Sequence, residues 1–188
     1  MEASASMSPS IDVAGEWYSL LFGVRRSVRY HMRRVRFFDQ WNLVTNALSL
    51  SFGSATILAV LGGRNSSWAV GAAAVVTVFS LLNLLMGSTR RAREHNDLAR
   101  RFIALEKAMV LIEQPTPADL KRCTAQRLDI EGDEPPVLRV LDILCHNEQA
   151  LAEGHPREVF VQVKWYQRWL AQFMDIGADR LTHESSAS

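Results

Sequence analysis

The sequence predicts an all-α membrane protein: a two-helix transmembrane hairpin extended by a cytoplasmic antiparallel helical stalk, plus a small C-terminal helical subdomain. Three observations carry this expectation. Two stretches without a charged residue, Gln40 to Gly63 and Asn65 to Thr89, stand back to back with only Arg64 between them. Each is longer than the roughly 20 helical residues that cross a bilayer core. On both sides of this pair apolar side chains recur at alternating steps of four and three, the rhythm of a helical seam. Finally, the chain shows no strand pattern, internal repeat or long low-complexity linker.

Composition averaged over the chain hides this organisation. With 188 residues and a formal net charge of +1, and a mean hydropathy of -0.03, the whole looks like a soluble domain. The average blends an apolar hairpin with a charged remainder. Arg25, Arg26, Arg29, Arg33, Arg34 and Arg36 precede the first charge-free run, and Arg90, Arg91, Arg93, Arg100 and Arg101 follow the second. Basic residues in short flanks stay in the cytoplasm, so Arg33, Arg34, Arg36, Arg90, Arg91 and Arg93 are the expected topology-setting residues. Both termini then lie in the cytoplasm, and the Gly62 to Ser67 turn faces out. No cleavable signal peptide is expected, because an Arg-rich helix takes the place of an early apolar segment. Cys123 and Cys145 fall in the cytoplasmic part, where free thiols are expected. Asn65, Ser66 and Ser67 form a sequon, expected to be unmodified so close to a membrane.

Taken in order, residues 1–15 are Ser- and Ala-rich without apolar periodicity and read as a disordered tail. Residues 16–114 form the hairpin with its stalk, with spans at about 42–62 and 67–87. The first stalk seam is Trp17, Leu21, Val24, Val28, His31, Val35 and Phe38; the second is Leu98, Phe102, Leu105, Met109 and Ile112. Phe38, Leu98, Phe102 and Leu105 are the expected packing positions where the two seams pair. Two continuous helices, about Glu16 to Leu61 and Trp68 to Glu113, would each be near ~70 Å long, over twice the hydrocarbon thickness. The alternative is an ordinary amphipathic helix on a local core. Residues 115–176 form the helical subdomain. Pro115 and Pro117 stop the stalk, and Thr116 with Asp119 makes a capping box. A helix from about Pro136 points Val137, Leu141, Leu144 and Leu151 inward and ends at Gly154. Pro156 opens a last helix with a Val159, Val163, Tyr166, Leu170 and Phe173 stripe. Residues 177–188 are a polar tail.

Within the membrane pair, the second span from Trp68 is nearly all Ala, Val, Leu and Phe, whereas the first is polar and inserts marginally. Its Asn42, Asn46, Ser49, Gly53 and Thr56 recur at steps of four and three along one face, and Ser80, Asn83 and Gly87 give a shorter stripe on the second. Small residues let helix backbones approach and amides bond across the gap. Two readings of Asn42, Asn46, Ser49, Thr56, Ser80 and Asn83 stay open: glue between helices, or the lining of a water-filled pore. One hairpin cannot enclose a channel, so the second reading requires a homo-oligomer.

No phosphate-cradling loop, nucleophile elbow or metal-binding His-Glu-x-x-His motif is present, so no enzyme activity, cofactor or metal is expected. His31, His95, His146, His155 and His183 are dispersed. His146 with Glu148 or His155 is a weak ligand set, and His31 on the seam could loosen packing as pH falls through about 6.5. The Arg25 to Arg36 cluster suits anionic lipid better than nucleic acid, since it ends at a span. Lys164, Trp165, Tyr166, Arg168 and Trp169 suit either plain core packing or a helix lying in the membrane interface.

The run Arg91-Ala92-Arg93-Glu94-His95-Asn96-Asp97-Leu98-Ala99-Arg100-Arg101-Phe102, continuing to Leu105 and Glu106, together with Arg36-Phe37-Phe38, resembles the bacterial SLATT group of two-span proteins. The likeness covers about Trp17 to Val110. The resemblance implies a bacterial inner-membrane effector of conflict systems that disrupts the membrane when an associated nucleotide-signalling or sensor protein, encoded nearby, detects invasion. It implies membrane flanks at Arg36 and Arg91 and helix-pairing roles for Phe38, Leu98, Phe102 and Leu105, and it supplies no enzyme site. The expected partners are therefore the lipid bilayer, further copies of the chain and that sensor, with no nucleic acid. The rival is a non-conducting membrane anchor or scaffold presenting the surface of residues 116–176.

Overall fold

A computed structural model describes residues 12–62 and 67–176, and among them all regular structure is helical. The 1–11 part of the N-terminal tail, Gly63, Arg64, the sequon asparagine and the 177–188 tail with His183 lie outside the described residues, as does the side chain of Trp68.

The first helix, α1, runs unbroken over Val13–Leu61, 49 residues, or about 70 Å. It begins before Glu16 because Asp12 caps it: the Gly15 amide donates to Asp12 Oδ1 at 3.1 Å, satisfying one of the amides that a helix start leaves open. The return limb is two helices, α2 over Ser67–Met86 and α3 over Ser88–Val110. The expected single helix is interrupted at Gly87, whose φ of 55° and ψ of 38° are left-handed. Glycine alone adopts that conformation without steric cost. Gly87 is bonded to both helices: its amide donates to the Asn83 carbonyl at 3.1 Å, and its carbonyl accepts the Arg91 amide at 3.0 Å.

Hydropathy separates the two limbs. Among the described residues, one helical run, Ala69–Val110, contains a window long and apolar enough to cross a membrane, and none of that window is buried. The first limb is the more polar of the two, carrying Asn42, Thr45, Asn46, Ser49, Ser51, Ser54 and Thr56 among its leucines, and the side chains of 59–61 at its far end lie outside the described residues.

Below the apolar part, α1 and α3 pack along their lengths and share a core with α4, Pro117–Glu131. Trp17, Leu20 and Val24 from α1, Leu98, Phe102, Leu105 and Met109 from α3, and Cys123 and Ile130 from α4 are buried together. The helix opens on the expected capping box, with the Asp119 amide donating to Thr116 Oγ1 at 3.2 Å and the Thr116 amide to Asp119 Oδ2 at 3.2 Å. Gly23 of α1 lies under Arg127 of α4; a Cβ there would come within 2.7 Å of the guanidinium.

The next helix, α5 over Arg139–Ala152, packs on another side of α1. It starts at Arg139 instead of Pro136 because Asp175, far along the chain, caps it: the Arg139 and Val140 amides donate to its carboxylate at 2.9 and 3.1 Å. Tyr30, Val140, Leu141, Cys145 and Ala171 form a second buried cluster. Cys123, Ile130, Val140, Leu141, Cys145 and Ala171 thus share their cores with the stalk. Val137 and Leu151, expected inward, are exposed.

The expected last helix from Pro156 is much shorter. A 3-10 turn over Arg157–Val159 is followed by extended chain and by α6, Trp165–Leu170. Asn147 holds the extended stretch: its Nδ2 donates to the Val161 carbonyl at 2.8 Å and its Oδ1 accepts from the Val161 amide at 3.1 Å. Both backbone groups of Val161 are satisfied outside a helix, which removes the need for one there. Val159, Tyr166 and Phe173 are exposed, and Trp165 and Trp169 are 75% and 78% exposed, so neither tryptophan packs into a core formed by the described residues.

Candidate functional site

The polar stripe is divided by the packing of α1 on α2. Asn83 Nδ2 donates to Asn42 Oδ1 at 3.4 Å, and Ser88 Oγ donates to Asn83 Oδ1 at 2.6 Å. This chain joins both limbs at the stalk end of the apolar run. Higher up, Ser49 and Thr56 are half-buried, and the Thr56 hydroxyl donates to its own helix at the Phe52 carbonyl, 2.8 Å away. Asn46 and Ser80 are exposed. Thr45, which falls outside the expected stripe, is buried and donates to the Trp41 and Asn42 carbonyls at 2.9 and 3.0 Å. The six residues therefore do not form one face: Asn42 and Asn83 meet, whereas Asn46 and Ser80 point away from the interface.

Immediately below lies a buried stack that the seam pattern caught only in part. His31 of α1 stacks on Phe102 of α3, with ring centroids 5.5 Å apart and planes at 16°. Reciprocally, His95 of α3 stacks on Phe38 of α1 at 5.8 Å and 13°. The two imidazoles meet through their Nδ1 atoms at 3.0 Å, and His31 Nε2 lies 3.1 Å from Glu134 Oε1 in the α4–α5 connection. Burial pushes the His95 imidazole down to about 4, with His31 and Arg34 adding to the effect. Phe38, Leu98, Phe102 and Leu105 are all buried. His95 was findable: it continues the Leu98–Phe102 seam one step backwards, as do buried Ala92 and Ser88.

The basic flank is largely engaged by α5. Arg26 pairs with Asp142 at 3.2 Å and Arg33 with Glu148 at 2.8 Å; Arg25 bridges Glu106 at 2.9 Å and Glu153 at 3.4 Å. Arg90 pairs with Glu94 on its own helix at 2.7 Å. Arg36, Arg91 and Arg93 are exposed. Arg34 is 8% exposed, with its guanidinium 4.5 Å from the Phe38 ring centre. Its Nη1 donates to the Gln172 carbonyl at 2.6 Å. Burial holds its pKa below the usual guanidinium range, with Arg91 acting in the same direction.

No group of three or more His, Cys, Asp or Glu residues able to hold a metal exists among the described residues. His146 instead packs edge-on against Phe22, and His155 bonds to Tyr18. Cys123 and Cys145 are free and buried, and burial raises the Cys145 thiol to about 11. Such a thiol is un-ionised and inert as a nucleophile at neutral pH. The arrangement offers helix pairing, a buried titratable pair and a cationic junction. No family model, curated protein or solved structure matches the chain.

Proposed function

We propose that this chain is a two-span protein of the bacterial inner membrane with both termini cytoplasmic, working as an oligomeric effector that permeabilises or perturbs that membrane in a defence or conflict response. One observation carries the membrane reading: the apolar window of the α2–α3 run is entirely unburied. Leu81, Leu84 and Leu85 would otherwise expose a contiguous apolar face to water, which soluble monomers avoid. Lipid is its natural cover. Asn46 and Ser80 support the oligomer, because an exposed amide or hydroxyl at membrane depth costs free energy unless another copy or a water-filled axis receives it. The unbroken α1 would carry a change in stalk packing into the bilayer, provided two packed arrangements differ by only a few kcal/mol. The resemblance to the SLATT group supports a conflict role with a nucleotide-signalling or sensor protein as trigger.

The rival reading, a non-conducting anchor, is favoured by the Asn42–Asn83–Ser88 chain, which satisfies part of the polar stripe inside one hairpin. Inducible expression with a membrane-potential dye separates the two. An effector depolarises the cell, and Asn46→Leu weakens that effect; an anchor leaves the potential unchanged with either chain.

A further inference from the structure

Where the apolar span meets the stalk, a cavity of about 690 Å³ opens between α1, α3 and the α4–α5 connection. That volume lies within the range of small-molecule sites, roughly 300–1,000 Å³. Its walls are of two kinds. Leu84, Leu85 and Met86 close one side, and Arg34, Arg91 and Tyr30 line the other.

The polar wall lacks a counter-charge. Arg34 is more than nine-tenths buried, its Nη1 is bonded to neutral Gln172, and its Nε has no hydrogen-bond partner among the described residues. Neither Arg34 nor Arg91 has a carboxylate within ion-pair distance among those residues. The acid that does reach the cavity, Glu94, is engaged by Arg90 at 2.7 Å. Tyr30 Oη accepts the Leu138 amide at 3.0 Å, which leaves its own proton available to donate. A buried cation without a partner is costly, and the cost is relieved by an anion bound beside it. Here α2 ends at Met86 and α3 opens on Gly87 with no side-chain cap, so opposed ends of two helix dipoles meet and the positive character of the site comes from the guanidiniums.

We propose that this cavity is a phosphate-binding site in which Arg34 and Arg91 clamp a phosphate ester, either the headgroup of an anionic phospholipid or a soluble phosphate ester. Planar guanidiniums suit phosphate oxygens. The Leu84–Leu85–Met86 wall sits where the first methylenes of an acyl chain would lie, so a phospholipid fits both walls at once. The site is independent of pore formation; its lipid form rests on the membrane reading alone.

The test uses the full chain in nanodiscs of phosphatidylcholine alone or with added phosphatidylglycerol, read by native mass spectrometry for retained lipid. A second arm measures the thermal midpoint in phosphatidylcholine with and without glycerol 1-phosphate. Arg91→Gln is the test variant, since Arg91 is exposed and makes no ion pair among the described residues, and Arg93→Gln, outside the cavity lining, is the control. Retention of phosphatidylglycerol that falls about fivefold with Arg91→Gln and holds with Arg93→Gln establishes the lipid headgroup as occupant. An Arg91-dependent rise of the midpoint with glycerol 1-phosphate establishes a soluble ester. Absence of both effects, or equal effects in the two variants, overturns the site. A chain that fails to remain with nanodiscs refutes the membrane reading instead, and the glycerol 1-phosphate arm on the free chain then decides the site.

Discussion

His31 and His95 touch through their Nδ1 atoms at 3.0 Å, each ring stacked on a phenylalanine of the opposite helix. Such a bond needs one protonated and one bare nitrogen, so the two rings cannot both be charged while it lasts. His31 already faces Glu134 through its other nitrogen. Any second proton therefore strains the joint between α1, α3 and the α4–α5 connection.

Acid should loosen this joint through His95. Its folded pKa is depressed to about 4, chiefly by burial, against about 6.5 unfolded. Between those values the unfolded chain binds the extra proton, so stability is full above about pH 6.5 and is lost as pH falls toward 4, by about 3 kcal/mol in all. The facing groups are His31, Tyr30 and Arg34 on α1, Glu94 and Arg91 on α3, and Glu134. His95→Asn keeps a hydrogen-bonding group near the Nδ1 position and removes the titration. Thermal midpoints followed by circular dichroism across this window should flatten in the variant; an unchanged slope would assign the effect to another group.

The stack also sets a packing cost. Phe102 is fully buried between α1 and α4, and deleting a ring from such a site costs about 3–5 kcal/mol. Phe102→Ala should lower the denaturation midpoint far more than Ile103→Ala, whose parent side chain is 45% exposed on the neighbouring face.

Trp17, Val24, His31 and Phe38 recur every seven residues and are all buried, so the stalk was legible from spacing alone. Leu20 and Arg34 replace Leu21 and Val35 as the buried neighbours. A straight helix drifts against a seven-residue repeat, and α4 and α5 cover further sides of α1. The burial of Arg34 was invisible because its partners, Gln172 and the Phe38 ring, come from packing and not from local pattern. In the same way the Asn147–Val161 pair and the Asp175 cap act across the chain, so residues 156–164 read as helix and the start of α5 as three residues early. In the hairpin, periodicity gave the polar stripe but could not say which members face α2. By spacing Gly87 is a small residue of the stripe; its left-handed φ has no sequence signature of its own.

Gly87 offers a test of the join between the apolar run and the stalk. Nothing lies within 4 Å of a Cβ built there, so a substitution meets no steric neighbour and the cost is purely conformational. An L-residue in the left-handed region costs roughly 1–2 kcal/mol. Gly87→Ala should therefore destabilise by about that amount, and β-branched Gly87→Val by more. Equal midpoints for the wild type and both variants would mean the turn relaxes to ordinary helix without penalty.

Topology can be read with the chain's own quiet thiols. Cys123 and Cys145 are buried, 1% and 0% exposed, so an impermeant maleimide should find little background in intact cells. Gly62 and Glu113 are both exposed and lie at opposite ends of the hairpin. With two spans and an arginine-weighted cytoplasmic side, Gly62→Cys should label in intact cells and Glu113→Cys only after lysis. The polar first limb makes this demanding, because its insertion depends on Asn42 and Thr45 finding partners within protein. If α1 instead stayed in the cytoplasm while only the α2 run inserted, Gly62→Cys and Glu113→Cys would lie on opposite sides of one span. With residue 62 cytoplasmic, residue 113 alone would label from outside, reversing the expected pattern.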